Sequence, residues 1–260
     1  MNYDYLLEVH KTYGTKREDI LNRSGFHEIL EDVVIAPWWD VSIFDNNSNI
    51  VEKINDNLYN IRNETYAFSY IQLKAIGAPI VVDTMMNLGI TKCKRIIFIG
   101  SVGSLCEEIK IGDIVIPNIS ICGEGSSRYL NNDLSDDFGK EFMPEKEFAD
   151  LAINCTQKIC EEINVSLHVC KNYSVDTIFL QYAHVDLIKS LGARTIEMET
   201  SVFFKAAKTI NVSAVALLSV SDNTVLGKGL YSGRTEEEQK YRKYARSKVI
   251  PSVVYNLFKK

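Results

Sequence analysis

The chain has 260 residues, 46% of them hydrophobic, and carries 29 Lys and Arg against 34 Asp and Glu for a formal net charge of -5. That is long enough to bury a full core as one compact α/β domain, with no second domain required. Basic residues are dispersed rather than clustered, which argues against a nucleic-acid or anionic-membrane partner.

Asp4 and Glu8 fall inside MNYDYLLEVHK, where a secretory signal needs an apolar run, so none is expected. The longest apolar stretch is too short to span a bilayer. The six cysteines (Cys93, Cys106, Cys122, Cys155, Cys160, Cys170) form no CxxC pair and no cluster with histidine. Neither a zinc site nor a disulfide framework is expected, and the default is a cytoplasmic protein with reduced thiols.

In chain order, residues 1–31 read as an N-terminal helical segment, with a polar-rich helix over 16–31 that breaks at Gly25. Residues 32–36 (DVVIA) form a short strand followed by Pro37-Trp38-Trp39-Asp40. The tryptophans are expected to pack, although such a ring is also able to stack on a planar ligand. Residues 66–75 alternate as a strand and run into Ile76-Gly77-Ala78-Pro79. Gly77 permits a tight turn or close backbone approach, and Pro79 suits the first turn of a helix reaching Leu88.

RIIFIG (95–100) reads as a strand followed by Ser101-Val102-Gly103-Ser104, whose small residues leave backbone N–H groups free for an anion or a sugar hydroxyl. GSVGS has neither Walker nor dinucleotide spacing. A strand is predicted over 113–117, a long loop over the cleft at 123–146, a helix over 147–163, a strand over 166–173 and a helix over 183–191.

The stretch from Thr195 to Gly229 organises the rest. It begins with a strand end carrying Glu197, Met198 and Glu199. Phe203, Ala206, Ala207 and Ile210 then recur as one helical face, with Thr200 or Ser201 as cap and Lys205 and Lys208 on the wet side. Residues 212–220 read as a strand buried on both faces that stops at Ser221, Asp222 and Asn223. That trio suits either a surface turn or a site. Two strand ends joined by one helix would aim their carboxylates into one crevice. Thr235 and Glu238 form a capping box for the last helix, which Pro251 is expected to interrupt. Its basic residues, Lys240, Arg242, Lys243, Arg246 and Lys248, read as a solvated face.

The set IGAP (76–79), GSVGSL (100–105), IGDIVIP (111–117), NYSVD (172–176), IEMET (196–200) and VSDN (220–223) resembles the nucleoside phosphorylase family, which also contains hydrolytic purine nucleosidases. The resemblance implies a nucleoside phosphorylase-like domain over 32–260, with a central mixed, twisted, partly barrel-like sheet flanked by helices. It also implies a homo-oligomer (a dimer or a trimer of dimers) acting on a small-molecule nucleoside, with no cofactor beyond inorganic phosphate as co-substrate.

Carried onto this sequence, the resemblance places Glu199 at the sugar hydroxyls, Met198 beneath the sugar and Tyr173 against the base. Glu197, Asn223 and Gly77 complete the substrate-binding set. Asp222 matches the acid at the purine N7, Arg234 a cleft-closing arginine, and Gly100 and Ser101 the phosphate or water site. Breaking a C–N glycosidic bond develops positive charge on the sugar and negative charge on the base, so a protonated Asp222 would neutralise the leaving group.

Two departures bear on the acceptor. Phosphorolytic members show a Gly-Asp-Pro loop with a nearby arginine where this chain has Ala36 to Asp40, and an arginine where it has Phe98. Arg62 is the candidate for an arginine lent by a neighbouring subunit. Hydrolytic members place a water-activating glutamate near Asp40, whose competing reading is a helix cap. The readings that follow are cleavage of a purine nucleoside by phosphate, the same by water, or a non-catalytic nucleoside-binding homologue.

Overall fold

The computed structural model describes residues 1–46 and 48–259. Asn2 caps α1 (Tyr3–Thr12) by accepting hydrogen bonds from the Asp4 and Tyr5 amides. α2 (Arg17–Ser24) stops at Gly25, whose φ of +71° supplies the left-handed cap that β-carbon-bearing residues resist. The polar-rich helix thus breaks at Gly25 as expected. The segment is pinned to the body by Tyr3 Oη on the Met86 carbonyl and the Arg17 guanidinium on the Ile90 carbonyl.

β1 (Asp32–Pro37), the hairpin strands β2 (Ile50–Lys53) and β3 (Leu58–Arg62), and β4 (Ala67–Leu73) lead into α3 (Ala78–Leu88), which begins at the expected proline. β5 (Arg95–Ser104), β6 (Ile114–Gly123) and the two-residue β7 (Glu141–Phe142) precede α4 (Lys146–Glu162). β8 (Leu167–Val175), α5 (Val185–Ser190), β9 (Thr195–Glu197), α6 (Thr200–Thr209), β10 (Ser213–Asn223) and α7 (Glu236–Leu257) complete the chain.

β5 pairs with β10, β10 with β6, β6 with β8, β8 with β9, and β9 with β5, which closes a five-stranded barrel. The sheet then continues outward from β5 through β1, β4, β3 and β2. The expected mixed, partly barrel-like sheet is therefore present. Alternation along the central strands divides the core in two. Val33, Ile35, Ile96, Phe98, Ala216 and Leu218 pack with α3 and α6, whereas Val34, Ile97, Ile99, Val215 and Leu217 pack with α4 and α7.

One strand edge opens the site. β5 pairs with β1 as far as Phe98 and takes up β9 only at Gly103, so residues between them lie where its neighbours part. Such a switch in neighbours leaves a crevice beyond the strand ends.

Four local expectations are corrected. The 123–146 segment does not roof the cleft: buried Glu124, Ser127 and Asp137 tie it to α6 through Ser201 and Lys205. For the same reason Lys205 is half-buried rather than wet. α7 runs through Pro251 without a break, held by Val249, Ile250, Val253 and Val254, which are buried against the sheet. Capping of α6 also differs: neither Thr200 nor Ser201 caps it, and the Glu197 carboxylate instead accepts from the Glu199 and Thr200 amides at 2.7 and 2.8 Å.

Candidate active site

A cleft of about 330 Å³ sits at this parting of strands, within the range of small-molecule sites. Pro37, Trp38 and Trp39 follow β1, Gly100, Ser101 and Gly103 come from β5, Ile196 to Glu199 follow β9, and Ser221 and Asp222 end β10. Ile178 and Gln181 cover it, together with Leu230.

Asp222 is 7% exposed. Its approach depends on two irregularities in β5 and β10. The register shifts between Val220 and Asp222, leaving Ser221 as an extra residue that re-aims the strand end. Opposite, Gly103 has no side chain, and a β-carbon there would lie 2.9 Å from Asp222 Oδ2. Ser221 Oγ donates to Asp222 Oδ1 at 2.5 Å. Burial raises the Asp222 pKa above the ordinary carboxylate value, outweighing the Ser221 hydrogen bond and the nearby Arg234 and Arg242 guanidiniums. Arg234 Nε donates to the Ser221 carbonyl, beside the acid.

Glu199 and Glu197 are both buried but differ in their partners. Glu197 Oε1 accepts from Asn172 Nδ2 and Ser174 Oγ at 2.6 Å and from Thr200 Oγ1 at 2.9 Å, while Oε2 takes two α6 amides. It touches the cleft with its hydrogen-bonding capacity spent on positioning the Glu197–Thr200 turn. Glu199 has only backbone donors, the Gly77 amide at 2.6 Å and the Met198 amide at 3.2 Å. Burial, then the neighbouring Glu197, pushes its pKa up to about 8. Gly77, with φ of +102°, thus serves the cleft through Glu199 rather than by facing it.

Met198, Gly100 and Ser101 line the cleft as expected. Five other candidates do not: Arg234 stands behind the wall at the Ser221 carbonyl, and four lie elsewhere. Tyr173 is 4% exposed in a cluster with Leu105, Ile121 and Val175, its ring so close to Gly123 that a β-carbon there would stand 2.2 Å from it. Asn223 spends its amide on Ser104 Oγ and the Cys106 and Ile109 carbonyls, at 3.2, 2.8 and 2.9 Å. Asp40 is exposed and accepts from the Ser42 amide at 2.9 Å, capping the 3₁₀ turn Val41–Phe44, so the helix-cap reading is the one realised. Arg62 lies on the exposed hairpin, 3.9 Å from Glu52.

The sequence reading missed two arginines. Arg246 lines the cleft with its guanidinium 3.5 Å from the centroid of buried Trp39. Arg242, one turn earlier, donates from Nη2 to Ser101 Oγ at 3.1 Å. Both lie on the stripe of α7 that carries buried Ala245 and Val249, and that spacing was the available signal. Trp38, 63% exposed and in a left-handed conformation with φ of +59°, stands at the mouth. Phe98 points the other way, into the α3/α6 core, with its ring 5.3 Å from Phe203.

A barrel-closed α/β sheet with two buried carboxyls of raised pKa across one cleft defines the class to which the comparisons lead. The sequence model of the phosphorylase superfamily matches residues 68–248, and the chain belongs to that family. It is 24% identical over 137 residues to a purine nucleoside phosphorylase DeoD-type of Streptococcus pneumoniae, a match over 51% of this chain and 53% of that protein. The chain thus spans about half the length of the curated relatives it matches. In fold it is similar to uridine phosphorylase from Vibrio fischeri (TM-score 0.71, 15% identity, 88% of this chain and 92% of that one). It is also similar to AMP nucleosidase from Bacteroides thetaiotaomicron (TM-score 0.64, 17% identity, 91% and 98%).

Proposed function

We propose that the chain cleaves the N-glycosidic bond of a purine-type nucleoside, by phosphorolysis to free base and sugar 1-phosphate. The observation that carries this reading is Asp222: a buried carboxyl with a raised pKa at a bulged strand end, facing the same cleft as Glu199. As the C–N bond breaks, Asp222 donates its proton or a strong hydrogen bond to the departing base. Glu199 holds the sugar hydroxyls above Met198 and positions the sugar as positive charge develops on it. The naming of the pneumococcal relative supports purine over pyrimidine.

The second reading, hydrolysis, is favoured by one observation: Phe98 is sealed in the core, so β5 supplies no cation to the acceptor. Asp40 gives that reading little support, because it caps a turn outside the cleft. Among the described residues no group of three or more His, Cys, Asp or Glu is placed to hold a metal ion, and no helix is long and apolar enough to cross a membrane.

In this reading residues 1–31 are a helical appendage of the 32–260 domain and the protein is a cytoplasmic homo-oligomer. Exposed Trp38, Ile76, Phe179 and Leu180 support association near the cleft mouth, with Arg62 as a residue that a neighbour contributes. The deciding experiment incubates the protein with a panel of purine and pyrimidine nucleosides, with and without orthophosphate, and identifies the sugar product. Sugar 1-phosphate formed in proportion to phosphate supports phosphorolysis. Free sugar at a phosphate-independent rate replaces it with hydrolysis, and no cleavage leaves the binding-protein reading.

A further inference from the structure

We propose that Arg246 and Arg242 of the last helix supply the positive charge that holds a phosphate group at the Ser101 end of the cleft. This rests on the glycosidic-cleavage reading for its purpose, and on the following geometry for its existence.

Three guanidiniums, those of Arg234, Arg242 and Arg246, converge around the wall formed by Ser101 and Asp222. Among the described residues none of the three has a carboxylate within ion-pairing distance (4.0 Å). Arg246 sits over the Trp39 ring and lines the cleft. Arg242 reaches the same wall through Ser101 Oγ, and its Nε is buried with no hydrogen-bond partner. Ser219 Oγ is likewise buried and unpartnered. Ser219 is the register partner of Ser101 on β10, so both side chains leave the sheet on the α7 face.

Half-buried cations without counter-ions repel one another, and buried polar atoms without partners cost free energy. Burial first, then Arg234 and Arg246, pulls the Arg242 pKa down to about 10. The nearby Asp222 acts against that fall but makes no ion pair with any of the three arginines among the described residues. A site built this way is completed by an anion, and planar guanidinium donors suit a phosphate group in particular. The missing arginine at Phe98 is thereby accounted for: the charge has moved from β5, where position 98 faces the core, to α7, where positions 242 and 246 face Ser101.

The phosphate has two possible sources, free orthophosphate acting as acceptor or a phosphate carried on a nucleotide substrate. The test measures cleavage of adenosine, inosine and guanosine across an orthophosphate titration, and of the matching 5'-nucleotides without it, for the wild type, Arg246→Met, Arg242→Met and Arg246→Lys. Phosphate-induced rises in Tm are recorded for every folded variant. The expected result is that Arg246→Met raises the KM for orthophosphate or for the nucleotide at least tenfold while the KM for the neutral nucleoside changes little. Arg246→Lys should recover part of the loss. Dependence on orthophosphate identifies the acceptor site, and preference for nucleotides a substrate-phosphate site. Cleavage that proceeds with the same phosphate dependence in the arginine variants overturns the proposal. If no substrate is cleaved, phosphate that raises the Tm of the wild type but not of Arg246→Met upholds the pocket and rejects the reaction; phosphate that shifts neither rejects the pocket.

Discussion

The absent side chain of Gly103 and the carboxyl of Asp222 are fitted to each other: a β-carbon on the one would stand 2.9 Å from Oδ2 of the other, across a bulge in β10. Gly103→Ala therefore displaces Asp222 without removing it. The expected result is a kcat loss approaching that of Asp222→Asn, for which removal of a general acid costs about 10²- to 10⁴-fold. Substrate binding should weaken much less in both. Full activity in Gly103→Ala would show that the acid does not work from this position.

Glu199 gives a pH-dependent signature. Its pKa is raised in the folded protein to about 8, so the native state holds a proton that the unfolded chain releases near the ordinary carboxylate value. The stability this contributes is fully present below the unfolded pKa and is lost as pH rises through about 8. Glu199→Gln removes that loss, so its Tm should match the wild type only below the ordinary carboxylate pKa, pull ahead of it progressively as pH rises, and exceed it most above pH 8, by about 2–4 °C for each kcal/mol gained. The same variant should raise the nucleoside KM and lower kcat together, since sugar contacts position the substrate and tighten as the bond breaks. Tm curves that stay parallel at all pH values count against a buried, protonated Glu199.

Asp40 is expected to matter for stability alone. Asp40→Ala loses the cap on the Val41–Phe44 turn, a change of about 0.5–2 kcal/mol at most, measured by chemical denaturation. Its kcat should equal that of the wild type. A large drop in kcat at unchanged stability would return Asp40 to the mechanism as a water-activating base.

Phe98→Arg tests which way β5 faces. A family-like arginine at this position would be driven into the core beside Phe203, as an unpaired buried charge costing about 3–5 kcal/mol or more. The expected outcome, read by thermal unfolding and expression, is a poorly folded protein, with Phe98→Leu tolerated. A stable variant with enhanced phosphate affinity would place residue 98 at the cleft after all.

Much of the architecture was written locally. Gly25 as a left-handed cap, Pro79 in the first turn of α3, the Thr235–Glu238 capping box and the apolar run of β10 each depend on a few adjacent residues, and each was legible. The pairing of the Glu199 and Asp222 strand ends was legible for a similar reason, since one short helix joins them and polar groups at strand ends face a crevice.

What depended on contacts between distant segments was not. Nothing near Tyr173 says that Gly123 will let its ring sink into the wall, and nothing near Gly77 says that its amide will meet Glu199 from 122 residues away. Asp40 read equally as base or cap until the turn it caps placed it outside the cleft. Arg242 and Arg246 read as one polar stretch with their neighbours, because a helix pattern shows which residues share a face but not what that face meets. Their place beside Ser101 was decided when α7 packed on the face of the sheet that carries Ile97, Ile99, Val215 and Leu217. Sequence determined the strand ends and the acids they carry; only the closing of β5 through β10 onto one barrel, with α7 against it, decided which cations those acids meet.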